Sequence, residues 1–293
     1  MVEITGRTLQ GRFLFAPSIT FNDIALGVLG RAQRLHNVRL FGYVVMSNHV
    51  HILAWVDDAH QLASFAGYFA SNLAREVARL TGWTDKIWSR RYQAIVISHE
   101  EKAQAERLEY ILSHGVKEDL VPRITDWPGV HCIHSLLSGQ PAEGIWFNRT
   151  QEYEARNRGE SIGPRQFASP ETVTLETLPC WSHLPPGQVA HLIREMVERI
   201  ETQAAQRRAE TGAVPLGSAA IKAQHPHHRP PKLKRSHAPL FHAATRRIRR
   251  ELYDAYKFFL AAFREASERL RSGDRSALFP TGCFPPALPF VSG

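Results

Sequence analysis

The stretch from residue 38 to residue 56 constrains the fold more than any other part of the sequence. Val38 to Met46 is rich in β-branched and aromatic residues, which favour strands. Ser47-Asn48 is a turn signal, and His49 to Val56 has the composition of a second strand. We therefore predict a β-hairpin over this stretch.

The residues around the hairpin predict alternating strands and helices. Short apolar runs predict strands at Arg12–Ala16 and Tyr92–Ser98. Apolar residues at helical spacing predict helices at Asn22–His36, at Gln61–Leu80 and from Glu100 to about Gly115. Asn22 or Asp23 is expected to cap the first helix, and Gly82 to end the second. The order of strand, helix, hairpin, helix, strand and helix favours a small α+β sheet with helices on one face.

The pattern weakens after about Leu137. The next fifty residues are rich in Gly, Pro and Glu and are expected to be irregular and to wrap the first domain. Two long helices are predicted beyond them, at Gln188–Glu210 and from about Leu240 to Arg271. The predicted organisation is a catalytic-type domain at 1–137, an irregular segment at 138–186, a basic, mostly helical region at 187–275 and an extended Pro-rich tail at 276–293.

Positive charge is concentrated in one segment. The chain has 36 Lys and Arg against 28 Asp and Glu, a net charge of +8, yet Thr211 to Arg250 contains no acidic residue and nine basic ones. Such a segment is compatible with a solvated surface, a nucleic acid or an acidic lipid, and phosphate binding is the sharpest interpretation. Four arginines lie in the first two turns of the last long helix, which is the unfavourable end for the helix dipole. They are Arg246, Arg247, Arg249 and Arg250.

Composition also excludes several classes of protein. The sequence has no run of 18 apolar residues, so a membrane span is not expected. Met1 to Gly11 lacks the charged start and apolar stretch of a signal peptide. Three scattered cysteines are too few for a disulfide framework or a zinc cluster. We therefore expect a protein of a reducing cytoplasm.

His49 and His51 are candidate metal ligands. Alternate residues of a strand share a face, so the two imidazoles lie about 7 Å apart on the same side of the predicted strand. Two imidazoles in this arrangement can share a metal ion. The ordinary alternative is a half-buried strand with two polar residues on its outer face.

Tyr110 and His114 form a second candidate pair. Residues four apart on a helix are neighbours, so these side chains project together, and Gly115 is expected to end the helix. A tyrosine beside a third possible metal ligand is a candidate nucleophile, although a phenol with a pKa near 10 needs activation. The alternative is a structural tyrosine with an incidental histidine.

Together these pieces resemble a known family. The apolar strand followed by Asn48-His49-Val50-His51, then Trp88-Ser89-Arg90-Arg91-Tyr92, and then Tyr110-Ile111 is similar to the HUH single-tyrosine transposases. The closest group is the REP-associated tyrosine transposases and their relatives among small insertion sequences. The resemblance covers roughly residues 10–135. Ser47 replaces the family's usual Pro, and His114-Gly115-Val116 replaces its frequent Asn-Pro-Val.

The resemblance implies a fold and a mechanism. The fold would be ferredoxin-like, with an antiparallel sheet. His49 and His51, with His114 as a third ligand where relatives carry Gln or Asn, would hold Mg²⁺ or Mn²⁺ on the scissile phosphate. Tyr110 would attack the phosphorus of single-stranded DNA and leave a 5′-phosphotyrosine and a free 3′-OH. Another strand's 3′-OH could reverse the step, so that strands are joined without ATP.

The resemblance also implies partners. These are single-stranded or hairpin DNA and a second copy of the chain in a homodimer, and the location is the bacterial cytoplasm, at the nucleoid. Trp88 is expected to pack in the core. Tyr92 either stacks on a base or packs in the core as a strand residue. The candidate DNA-binding residues are Arg90, Arg91, Tyr92, Lys232, Lys234, Arg235, Arg246, Arg247, Arg249 and Arg250.

Two other functions remain open at this stage. One is a DNA- or RNA-binding regulator that keeps the fold without turnover, against which the presence of His49, His51 and Tyr110 argues. The other is a metal phosphodiesterase that uses the three histidines with water as nucleophile. The latter would leave no covalent adduct on Tyr110.

Overall fold

The computed structural model describes residues 1–163, 165–231 and 239–287. The strands within this part are β1 (Val2–Arg7), β2 (Arg39–Met46), β3 (His49–Trp55), β4 (Gln93–Ile97), β5 (Ala142–Phe147), β6 (Ala168–Val173) and β7 (Phe241–His242). The α-helices are α1 (Ile19–His36), α2 (Ala59–Thr81), α3 (Glu101–Leu112), α4 (Ile133–Ser138), α5 (Arg149–Asn157), α6 (Pro186–Thr211), α7 (Ser218–Lys222) and α8 (Arg246–Arg271).

A five-stranded sheet forms the centre of the molecule. Its order is β2-β3-β1-β4-β7, in which neighbouring strands of the first four are antiparallel and β7 is parallel to β4. The chain order β1-α1-β2-β3-α2-β4 with this strand order is the ferredoxin-like arrangement. The predicted α+β class and the predicted hairpin are therefore confirmed.

Local sequence explains where the first helices begin and end. The Ser18 side chain accepts a hydrogen bond from the Phe21 N–H at 3.1 Å, so Ser18 caps α1, and the predicted cap at Asn22 or Asp23 is wrong. Gly82 ends α2 as predicted, with a φ of 66° that a glycine adopts without strain.

The predicted first strand at Arg12–Ala16 is wrong. The strand is Val2–Arg7, and Gln10 and Gly11 then take positive φ values that interrupt extended structure. Phe15 is fully buried all the same, and its N–H donates to the Ser47 carbonyl at 2.9 Å. The apolar composition of this run reflects burial in an irregular segment and not pairing in the sheet.

The segment 138–186, expected to be irregular, contains regular structure. Strands β5 and β6 form an antiparallel pair that packs on α1, with α5 between them in the chain. A Cβ on Gly27 would lie 2.1 Å from the Ile145 backbone, and one on Gly30 would lie 2.6 Å from the Thr172 carbonyl. The glycines at these two positions of α1 thus permit β5 and β6 to approach the helix closely. Composition alone did not indicate this contact.

The two long C-terminal helices are present. Helix α6 spans the predicted residues, whereas α8 begins at Arg246 because Thr245 caps it and residues 241–242 form β7. None of the helices among the described residues is both long and apolar enough to cross a bilayer. The division into four segments at residues 137, 186 and 275 stays a prediction.

Candidate active site

Three histidines meet at one end of the central sheet. His49 and His51 lie on the same face of β3, and His114 follows the end of α3. The ring centroids are 5.2 Å apart for His49–His51, 5.4 Å for His49–His114 and 4.4 Å for His51–His114. One ring nitrogen from each residue lies within 4.8 Å of the others. The structure thus brings together the three residues that the sequence singled out.

Each of these histidines has an oxygen acceptor at Nδ1. His49 donates to Asn48 Oδ1 at 2.7 Å, and His51 donates to Glu3 Oε1 at 2.6 Å. His114 donates to the Tyr110 carbonyl at 2.8 Å. Each of the three rings therefore donates through Nδ1, and Nε2 is the nitrogen that a metal ion would use.

The surroundings keep two of these imidazoles neutral. Burial, together with the neighbouring His51 and Lys117, holds the pKa of His49 and of His114 well below the usual value. A neutral imidazole is the form that binds metal. The three-nitrogen donor set fits a divalent cation, and it suits Mn²⁺ better than Mg²⁺, which prefers oxygen ligands.

Tyr110 lies directly beside the cluster. Its ring centroid is 4.8 Å from that of His114 and 5.6 Å from that of His51, and the side chain is 38% exposed. Burial raises the pKa of the Tyr110 phenol, and the charge of Glu3 adds to this shift, whereas Arg107 opposes it. The phenol is therefore protonated at neutral pH and accessible to a substrate.

A buried carboxylate connects the histidines to the tyrosine. Glu3 on β1 is fully buried, and its second carboxylate oxygen accepts a hydrogen bond from Arg107. The guanidinium of Arg107 lies 4.3 Å from the centroid of the Tyr110 ring. Burial disfavours ionisation of Glu3, but the bond from His51 and the charge of Arg107 outweigh it and lower the pKa. Glu3 is thus an ionised group that orients His51.

A second cation adjoins the tyrosine. Lys117 Nζ lies 3.4 Å from the centroid of the Tyr110 ring and 3.3 Å from His114 Nε2. Burial lowers the pKa of Lys117 to about 8. Positive charge is therefore available next to the Tyr110 side chain.

Sequence reasoning missed these supporting residues. Glu3 was overlooked because the first strand was assigned to Arg12–Ala16, so the neighbour of β3 was not recognised. Arg107 was detectable in principle, since it is three residues before Tyr110 and such residues share a helix face. Lys117 lies beyond the end of α3, so helical spacing does not indicate it.

The three residues before β4 lie at the histidine end of the sheet. Gln93 is opposite Thr5, which is in turn opposite His51. Arg90 and Arg91 are exposed, and the Arg91 guanidinium lies 5.3 Å from the centroid of the Tyr92 ring. Tyr92 is half-buried against the core, and Trp88 packs on Phe15 as expected. The two arginines remain accessible to a ligand at this end.

The basic turn of α8, defined as residues 246–250, lies elsewhere. Strand β7 pairs with Val96 and Ile97, and α8 begins beyond this end of β4, which is opposite to Gln93. Its four arginines, which are Arg246, Arg247, Arg249 and Arg250, are exposed and do not join the histidine cluster. Lys232, Lys234 and Arg235 lie outside the described residues.

The fold and the cluster define an α+β domain with a histidine triad and an adjacent tyrosine. Residues 22–114, about a third of the chain, match the family described as "Transposase IS200 like". A solved structure, "Structure of the REP associates tyrosine transposase bound to a REP hairpin", is 19% identical, with a TM-score of 0.35 over 45% of this chain and 76% of that one. No curated protein matches the chain.

Over this segment the chain is similar to the IS200-like transposases, which is the family that its motifs predicted. This match supports a transposase-like processing of DNA. Transposases of this family generally use a divalent metal, and the cluster of His49, His51 and His114 offers a place for one.

Proposed function

We propose that the protein cleaves single-stranded DNA and transfers the cleaved strand through a covalent bond to Tyr110. The observation that carries this proposal is the position of an accessible tyrosine beside a cluster of three histidines, each of which donates through Nδ1 to an oxygen acceptor. A structural tyrosine would not require two oriented imidazoles in contact with it and a third beside them.

The proposed reaction is a transesterification. Tyr110 Oη forms a bond to phosphorus, the bond between phosphorus and the 3′ oxygen breaks, and the phenolic proton ends on that oxygen. The products are a 5′-phosphotyrosine and a strand with a free 3′-OH. Because the phosphodiester energy is kept in the intermediate, a 3′-OH from another strand can restore a phosphodiester without ATP.

The side chains around Tyr110 have different roles in the proposed reaction. His49, His51 and His114 would hold the divalent ion, which when bound neutralises charge on the scissile phosphate. Glu3 keeps the His51 ring oriented through Nδ1. Arg107 and Lys117, both at the Tyr110 ring, are placed to stabilise the negative charge that develops on the phosphate oxygens.

Two basic surfaces would hold the DNA. Arg90 and Arg91 lie at the histidine end, where they would contact the backbone of the strand to be cleaved, and Tyr92 would contribute partial stacking. The basic turn of α8 would contact the phosphates of a hairpin stem. Lys232, Lys234 and Arg235 precede α8 in sequence and are proposed to extend that surface.

A homodimer remains part of the proposal, as does a location at the nucleoid. Tyr110 and the three histidines lie together in one copy of the chain, so the geometry does not require that two copies exchange the tyrosine helix. Measurement of the mass in solution by light scattering, with and without hairpin DNA, tests the dimer.

The experiment that tests the proposed function is a covalent-capture assay. The protein is incubated with Mn²⁺ and a pool of labelled hairpin DNAs that carry randomised single-stranded arms, and the products are separated on a denaturing gel. We expect a DNA–protein adduct that disappears with a chelator and in Tyr110→Phe. Cleavage without an adduct would instead support a water-using phosphodiesterase, and binding without cleavage would support a regulator.

A further inference from the structure

A cavity opens beside Tyr110. Its volume is about 520 Å³, and it lies between the tyrosine helix α3 and the C-terminal helix α6. Glu106, Glu109, Tyr110 and Ser113 line one wall. Helix α6 lies wholly outside the segment that matches the transposase family, so this wall of the cavity comes from the second half of the chain.

The two walls are held together by ion pairs. The Arg199 guanidinium donates to both carboxylate oxygens of Glu109, at 3.0 and 2.9 Å. Arg207 donates to Asp119 Oδ1 at 2.5 Å, just beyond the end of α3. Helix α6 is thereby held at a fixed distance from Tyr110, and the cavity is a built feature of the fold.

The lining of the cavity changes along its length. Lys117, at the Tyr110 ring, and Arg207, which also pairs with Asp119, supply positive charge. The carboxylates of Glu106 and Glu109 in the lining are paired with His242 and Arg199. The apolar side chains of Ile200 and Ala204 line the cavity from α6, although both residues are largely buried, and Gln203 beside them is exposed. A phosphate matches the two cations, and a planar aromatic ring matches the apolar surface.

We propose that this cavity binds one unpaired nucleotide adjoining the phosphate that Tyr110 attacks. This inference rests on the proposed function and assigns α6 a part in it. The base lies against Ile200 and Ala204, the Gln203 amide contacts its edge, and Lys117 and Arg207 contact the backbone. The volume is in the range of small-molecule sites, which accommodates a single nucleotide and no duplex.

The test uses the full-length protein and a strand recovered as a cleaved product from the randomised pool. Gln203→Trp fills the cavity from an exposed position on α6, and the matched control is Gln206→Trp, an exposed glutamine on the same helix that does not line the cavity. The rate of adduct formation is measured on the intact strand and on strands with one abasic site at each position next to the cleavage point. Circular dichroism and thermal melting confirm that both variants fold.

We expect one abasic position to lower the rate for the unsubstituted protein about tenfold, the effect of losing one stacked base. Gln203→Trp should lower the rate on the intact strand by a similar factor and should be insensitive to that abasic site. Gln206→Trp should behave like the unsubstituted protein at every position.

Two outcomes separate the possible failures. If the unsubstituted protein forms the adduct and Gln203→Trp matches Gln206→Trp on every strand, the nucleotide site is wrong and the proposed function stands. If the unsubstituted protein forms no adduct on any DNA in the pool, the proposed function itself is wrong, and the inference is overturned with it.

Discussion

Charged groups are buried at the histidine site and exposed on the basic turn of α8. At the site, Glu3 is fully buried and bonds to both His51 and Arg107, so each charged group has one fixed geometry. On α8, Arg247 and Arg250 are exposed and pair with carboxylates four residues further along the helix. Buried, multiply bonded charge suits chemistry that depends on atomic positions, whereas exposed charge suits phosphates whose exact location varies.

The largest effect that this contrast predicts concerns Tyr110. Tyr110→Phe removes the oxygen that would bond to phosphorus and should lower adduct formation at least about a thousandfold. The same substitution should leave hairpin affinity unchanged within about twofold, because the basic turn is remote from the site. Gel quantification of the adduct and fluorescence anisotropy of a labelled hairpin measure the two effects. Residual adduct above one per cent in this variant would contradict the assignment.

Glu3 should control the metal affinity of the site. Glu3→Ala removes the acceptor that orients His51 and should weaken Mn²⁺ binding about 10- to 100-fold. Glu3→Gln keeps an oxygen acceptor, so its Mn²⁺ affinity should lie between that of the unsubstituted protein and that of Glu3→Ala. This variant serves as the test if the alanine variant does not fold. Isothermal titration calorimetry gives both dissociation constants.

A matched control for Glu3 exists in the second half of the chain. Glu171 on β6 is also buried and ion-paired, with Arg31 at 2.8 Å and Arg34 at 2.9 Å. Glu171→Ala should lower the free energy of unfolding while Mn²⁺ affinity stays the same. Equal loss of Mn²⁺ affinity in the two alanine variants would show that Glu3 acts only through stability.

Acid should destabilise the protein through His131, which packs against β2 in the same half as the site. Burial lowers the pKa of His131 to about 3, below its unfolded value near 6.5. The folded form thus binds fewer protons, so this contribution to stability is present above pH 6.5 and is lost as the pH falls toward 3. Between pH 6.5 and 5 the loss is about 2 kcal/mol.

Urea denaturation at the two pH values measures this effect. His131→Gln should reduce the difference in unfolding free energy between pH 6.5 and 5 by most of that amount. A variant with the same pH dependence as the unsubstituted protein would assign the acid sensitivity to other groups.

The smallest predicted effect concerns a single arginine of the basic turn. Arg246→Gln should weaken hairpin affinity a few-fold and reduce the slope of log affinity against log salt by about one, since one phosphate contact is lost. Arg271→Gln, an exposed arginine at the other end of α8, is the control and should change neither quantity. If the two variants have the same salt slope, the basic turn has no special role in binding.

Much of the central sheet was predictable because its patterns are local. The β-branched and aromatic composition of β2 and β3 and the helical spacing in α2 and α3 are local signals. The first three of these elements match their predictions closely, whereas α3 ends at Leu112 and not at the predicted Gly115. His49 and His51 share a face for the same reason. The pair of Tyr110 and His114 follows from helical spacing, so the sequence also predicted this half of the site.

The parts that were missed depend on contacts between distant residues. Strand β1 is only six residues long, and its pairing with β3 and β4 determines its register. Glu3 therefore has no local signature, because the histidine that it orients lies 48 residues further along the chain. Strands β5 and β6 were hidden by a composition rich in Gly and Pro. Within it, Gly144 permits the contact with α1, since a Cβ there would lie 2.2 Å from the Gly27 nitrogen.

The most direct test of the central claim is to locate the covalent bond. The adduct formed with Mn²⁺ is digested with trypsin and nuclease, and the modified peptide is sequenced by tandem mass spectrometry. We predict a nucleotide joined through its 5′ phosphate to Tyr110 and to no other residue. A nucleotide on a different side chain, or cleaved DNA with Tyr110 unmodified throughout the reaction, would contradict the claim that Tyr110 is the nucleophile.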